Sequence, residues 1–264
     1  HAYEAGGIVH LSLRHGRQTN PVRLGSELIA PSPFPYKVKK GSAPRGLKWL
    51  EQTTGSPPRE LTPAEIEGLV ERFTESALRI QKGGFEGIEI HGAHGYLLAQ
   101  FLSPLSNQRS DAYGGSFDKR LKLPRSLIRT TRKKLGNNFV IGYRISGDEH
   151  VSGGLTLEDT RRIVPILISE GIDFIHLSSG RIEALNYLYP EEEAVILPEA
   201  ETIREVSDVP VICPNIHSPA LASRVIQENK VDMISLSRPL IADPEWPNKV
   251  RSRRLDQINQ CVQI

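Results

Sequence analysis

The sequence predicts an α/β fold, a TIM (β/α)8 barrel with the first one or two β/α units absent from the chain. Three observations predict it. Short apolar runs alternate with amphipathic helical stretches along the chain. Polar and ionisable residues gather where the expected strands end, as they do at the active-site mouth of a parallel barrel. The rival architecture, a doubly wound sheet, needs a glycine-rich turn after its first strand, whereas Gly6-Gly7 precedes it.

The first strand is Ile8-Val9-His10-Leu11-Ser12-Leu13. A Pro/Gly/Ser-rich stretch from Gln18 to Arg59 follows and reads as an excursion on one face of the barrel. Thr62, Pro63 and Glu65 then form a capping-box layout, and Ile66, Leu69, Val70, Phe73, Ala77 and Ile80 recur at helical spacing up to Gly83-Gly84. Gly87-Ile88-Glu89-Ile90 is a short buried strand that runs into His91. A basic helix over Lys119–Lys134, started or kinked by Pro124, precedes strand Phe139–Arg144. Thr156 caps a helix to Glu170, and strand Asp173–Leu177 follows. Helix Pro198–Val206 precedes strand Val209–Cys213, and Ser218-Pro219 open a helix to Glu228 before strand Val231–Leu236. These make six strand candidates, where a closed barrel has eight.

A chain of 264 residues with 38% apolar residues can bury one large core, and residues 1–264 read as a single barrel domain. Its 33 basic and 31 acidic residues leave a formal charge of +2, which points to neither nucleic acid nor an acidic membrane as a partner. No apolar run approaches the roughly 20 residues of a membrane span. Cys213 and Cys261 lie too far apart for a zinc ribbon, and so few cysteines suit a reducing, cytoplasmic setting. The chain opens on His1 and not on Met, as a processed chain or a piece of a longer one would.

The residues that carry chemistry cluster in His91-Gly92-Ala93-His94-Gly95-Tyr96. Two imidazoles three residues apart can donate N–H groups to a carbonyl oxygen that gains negative charge, and a nearby phenol can protonate a carbanion. The same residues also suit structural histidines beside a packing tyrosine. A metal site lacks a third ligand at a diagnostic spacing.

From Gly87 to Arg120 the chain resembles the old yellow enzyme family, which includes bacterial NADH:flavin oxidoreductases and 2,4-dienoyl-CoA reductases. The resemblance rests on His91 through Pro104 (HGAHGYLLAQFLSP), on Asn107, Arg109, Asp111, Tyr113-Gly114-Gly115-Ser116 and Arg120, and on weaker matches at Leu13–Arg17 and Arg238–Pro244. It implies an FMN-dependent oxidoreductase that takes electrons from NADH or NADPH and reduces activated C=C bonds of small enone-type substrates; a homo-oligomer is compatible with it. His91 and His94 then hold the substrate oxygen, and Tyr96 delivers the proton. Arg144 lies beside the flavin N1/C2 edge and Arg238 at the FMN phosphate, with Ser237, Asn215 and Ser12 as further cofactor contacts. His15 and Arg17 fall near the flavin edge, and the Asn107–Arg120 segment is expected to knit a loop over the barrel mouth.

The chain departs from the family pattern in four places. The first β/α units are absent. Ser12 stands where the family has a glutamine, and one residue is missing between His15 and Gly16. Pro214 stands near a usual glycine in a loop one residue short, and Ser237 replaces the glycine before Arg238, so weaker FMN binding is expected. An iron–sulfur cluster needs four cysteines, and Cys261 supplies one at most. These departures leave two other readings open: a flavin-poor or inactive paralogue with a structural role, and a flavin-free lyase or isomerase.

Overall fold

The computed structural model describes residues 8–11, 28–52, 54 and 56–260. Ser12, His15, Arg17 and Cys261 lie outside the described residues.

After β1 (Ile8–Leu11), the excursion pairs β2 (Ile29–Ala30) in parallel with β3 (Arg59–Glu60), with a 3-10 turn at Arg45–Leu50 between them. The chain then alternates through α1 (Pro63–Lys82), β4 (Gly87–Gly92), α2 (Leu97–Leu102), α3 (Phe117–Leu135) and β5 (Val140–Ser146). It continues with α4 (Leu157–Ser169), β6 (Phe174–Ser178), α5 (Leu185–Leu188), α6 (Leu197–Arg204), β7 (Val211–Cys213), α7 (Pro219–Gln227) and β8 (Met233–Ile234). Two short helices close it, α8 (Arg238–Ala242) and α9 (Trp246–Arg251).

Six strands form one sheet in the order β1-β4-β5-β6-β7-β8, each parallel to the next. The spatial order follows the chain order without reversal, which is barrel topology and not a doubly wound sheet. The expected α/β barrel class holds, with six strands in its main sheet among the described residues. The last expected strand shrinks to Met233–Ile234, and α3 starts earlier than expected, at the Ser116 N-cap. Pro124 lies inside α3 without ending it.

Local chemistry explains the helix starts. Thr62 accepts from the Glu65 N–H while the Glu65 carboxylate accepts from the Thr62 N–H, and Thr156 and Asp159 repeat the device. Arg59 chiefly, and Thr62 with it, hold the Glu65 carboxyl at about 2, below its ordinary 4.5. A depressed folded value stabilises above the ordinary one, so this support fades as pH falls from 4.5 toward 2.

The two faces of the sheet differ. Ile88, Ile90, Ile141, Tyr143, Ile145, Ile175, Leu177 and Val211 join Ile66, Leu69, Phe73 and Ala77 of α1 in one buried core. Alternate residues face the other way: Glu89 and His91 on β4, Arg144 and Ser146 on β5, His176 and Ser178 on β6. Tyr143 is fully buried, and its hydroxyl has no hydrogen-bond partner among the described residues. Its ring fills the space where a Gly92 side chain would begin. Tyr143→Phe is therefore expected to leave stability unchanged or raise it by about 1–3 kcal/mol. Gly92→Ala should lower it by about 1–3 kcal/mol, and urea unfolding of both variants checks the pair.

Candidate active site

The site is built on the ends of β4, β5 and β6. Parallel register sets His91 beside Arg144 and Arg144 beside His176. His94 adopts a left-handed conformation, φ 65°, and Gly95 continues it at 72°. This turn folds the chain back so that His94 and Tyr96 meet His91. The ring centroids lie 5.0 Å apart for His91 and His94, 5.2 Å for His91 and Tyr96, and 6.3 Å for His94 and Tyr96. The structure thus brings together the three residues singled out in the sequence.

Two serines hold the turn. The His94 N–H donates to Ser146 Oγ at 3.1 Å, and that hydroxyl donates to the Gly180 carbonyl at 2.9 Å. His94 Nε2 lies 2.6 Å from Ser178 Oγ, so this hydroxyl governs which imidazole nitrogen carries the proton. Ser178 directly follows the expected strand Asp173–Leu177, but its partner lies 84 residues away, out of reach of any local pattern.

Arg144 is largely buried, and its Nε has no hydrogen-bond partner among the described residues. Burial pulls its basicity down, and the nearby Glu89 carboxylate works against that shift. Glu89 also accepts from His176 Nδ1 at 2.7 Å, while His176 Nε2 lies 3.0 Å from Ser235 Oγ. A second cluster went unread in the sequence: His150 stacks on Tyr187 at 3.6 Å, and its Nε2 lies within 3.0 Å of Ser179 Oγ and 2.9 Å of Glu199 Oε1. The signal for it was the polar run Asp148-Glu149-His150 directly after β5.

The Asn107–Arg120 segment does tie loops together. Asn107 donates to the Phe101 and Tyr113 carbonyls, Arg109 to those of Pro31 and Leu61, and Arg120 to those of Leu102 and Gly115.

The remaining expected cofactor residues lie on the loops after β7 and β8. Arg238 donates to the Pro190 carbonyl at 2.9 Å. Asn215 turns its side chain to the 192–195 segment, accepting from the Val195 N–H and donating to the Glu192 carbonyl. Ser237 is exposed at the start of α8. The start of α7 is already engaged: Glu193 Oε1 accepts from the His217 N–H at 2.5 Å and the Ser218 N–H at 2.6 Å.

Residues 8–257 match the NADH:flavin oxidoreductase / NADH oxidase family model. The chain belongs to that family. It is 38% identical to an NADH oxidase of Thermoanaerobacter brockii over 99% of this chain and 39% of the relative. It is 33% identical to a cinnamate reductase of Clostridium sporogenes over 99% of this chain and 40% of the relative. A solved 2-naphthoyl-CoA reductase superposes with a TM-score of 0.78 at 26% identity, covering 90% of this chain and 34% of the other. The chain therefore spans about two fifths of the length of the curated relatives named.

Membership in this family implies FMN, with NADH or NADPH as reductant. The residues present fit the ring of that cofactor: Arg144 offers a buried, unpartnered N–H at the mouth, in register with His91. They also offer phosphate donors in the His217 and Ser218 N–H groups at the start of a helix and in the nearby Arg238. Here those donors hold the chain's own acceptors, Glu193 and the Pro190 carbonyl. Glu193→Ala is expected to raise FMN retention severalfold, read by equilibrium dialysis of the intact protein. Unchanged retention would show that the phosphate uses other donors.

Proposed function

We propose that this barrel is the flavin-bearing part of a reductase that saturates the C=C bond of α,β-unsaturated carbonyl compounds. The observation that carries the reading is the convergence of His91, His94 and Tyr96 within 5.0–6.3 Å of one another, at the end of the strand beside Arg144. The cinnamate reductase relative supports it, since a cinnamate carries a C=C bond conjugated to its carboxyl group.

Bound FMN, reduced by NADH or NADPH, supplies the hydride. His91 and His94 donate N–H groups to the substrate's carbonyl oxygen, which draws charge from the β-carbon and opens it to hydride. Ser178 orients His94 through its Nε2 contact. Tyr96 gives its phenolic proton to the α-carbon, and the charge left on its oxygen is neutralised by a proton from solvent. Arg144 sets a positive charge at the mouth, where negative charge accumulates as electrons arrive.

Two half-reactions separate these roles. Tyr96→Phe should slow alkene reduction by about 10²–10⁴-fold, while flavin bleaching by NADH without oxygen slows far less; stopped-flow absorbance reads both. Equal slowing of the two would remove Tyr96 as proton donor. The double variant His91→Ala, His94→Ala should weaken enone binding at least tenfold, and an unchanged dissociation constant would remove both from the oxygen-binding role.

A further inference from the structure

Deeper in the barrel than His91, its inward face carries a polar set to which the proposed mechanism gives no task. Glu89 on β4 accepts from His176 Nδ1 on β6 at 2.7 Å, and His176 Nε2 lies 3.0 Å from Ser235 Oγ, directly after β8. Glu89 and His176 are both largely buried. An ionised carboxylate only accepts, so Nδ1 carries the proton in this pair.

Register shows what the pair spans. β5 separates β4 from β6, so the Glu89–His176 bond crosses it. Glu89 stands level with Gly142 on β5, and His176 stands level with Arg144, the next residue on the same face. Gly142 has no side chain to block the crossing, and the Phe174 ring fills the space that one would need. The bond therefore passes at the foot of the Arg144 side chain. Among charged groups, Glu89 is the first to oppose the loss of basicity that burial imposes on this guanidinium.

We propose that Glu89 is a positioning residue for electron transfer: held by His176, its carboxylate offsets part of the Arg144 charge and so sets how readily the flavin accepts electrons. The inference rests on the reading that places the flavin ring at Arg144. A guanidinium alone favours reduction, because negative charge gathers beside it, and a carboxylate at its foot opposes that charge. The balance keeps reduced FMN able to pass its hydride to an alkene. Glu89, His176 and Ser235 neither gain nor lose an electron or a proton in either half-reaction.

The test is the midpoint potential of the intact, FMN-loaded protein, read by equilibration with a reference dye during slow anaerobic reduction. Glu89→Gln keeps an acceptor for His176 Nδ1 and removes the charge. His176→Lys leaves the carboxylate and pairs it with a fixed cation. Each variant is expected to shift the equilibrium at least tenfold toward reduced flavin, a rise of about 30 mV for two electrons. The two cancel the same charge by different routes, so one that folds suffices. Glu89→Asp keeps the charge and should stay within threefold of the unmodified protein. A role in packing alone would change stability and leave the potential where it was. An unmoved or lowered potential in a folded Glu89→Gln or His176→Lys, or a rise in Glu89→Asp as large as in Glu89→Gln, would overturn the inference and leave the enone reading standing. An intact protein that takes up no FMN would overturn both, and a bleached flavin that no enone reoxidises would overturn the enone reading alone.

Discussion

The register of three parallel strands is the constraint on which the site depends. His91, Arg144 and His176 form one row only because β4, β5 and β6 pair without offset. A slip of one residue would turn all three into the apolar layer against the helices and bring isoleucines to the mouth. Two carboxylates pin the sheet from the opposite end, one between β5 and β6 and one between β7 and β8. Asp173 accepts from the Ile141 N–H at 2.6 Å and pairs with Arg132, while Asp232 accepts from the Val211 N–H at 2.8 Å and pairs with Arg204. Each acid stands just before one strand, bonds the neighbouring strand and draws in an arginine from a helix. Register and helix docking are therefore set by the same short segments, and the row at the mouth follows from that register.

At the mouth the polar groups are buried in connected sets. Glu149 accepts from Ser103 at 2.6 Å and from the Leu155 N–H at 2.8 Å, and it faces Arg181. Burial lifts the Glu149 carboxyl above its ordinary range, and the Arg181 charge opposes that lift. This set joins the end of α2, the loop after β5 and the loop after β6. Such networks stabilise only when every member is satisfied, and each carboxylate oxygen of Glu149 has a partner.

How much of this could be read in the sequence depended on whether the signal was local. Helix caps at Thr62, Thr156 and Ser218 are short patterns, and all three cap the expected helices. The His91–Tyr96 run is also local, and its convergence needed only the left-handed turn at His94 and Gly95. The Ser146 and Ser178 contacts are long-range: the serines stood at the right strand ends, but no spacing said which backbone or ring they would meet. The cavity lined by Phe34, Leu105 and Ile182 was illegible for the same reason, since these residues come from three loops whose approach is fixed by the barrel. The second histidine cluster was out of local reach too, since His150 meets Ser179 and Glu199, 29 and 49 residues away in the chain.

The donors at the start of α7 show why a family pattern does not translate directly into cofactor affinity. Backbone N–H groups and an arginine attract an anion whether it comes from a ligand or from the chain itself. Glu193 lies within 2.6 Å of both N–H groups, and burial together with Arg238 lowers the basicity of His217 beside them. Because the carboxylate is tethered, it competes as if present at high local concentration, and the apparent affinity for a phosphate is the intrinsic one reduced by the fraction of molecules in which the donors are released. At Arg144 no such competitor is present among the described residues, where its Nε is unclaimed, so a ring placed there as the resemblance implies would displace nothing. If FMN sits as the family resemblance implies, the two ends of its site would contribute unequally, because the donors at the start of α7 would have to exchange Glu193 for the incoming anion.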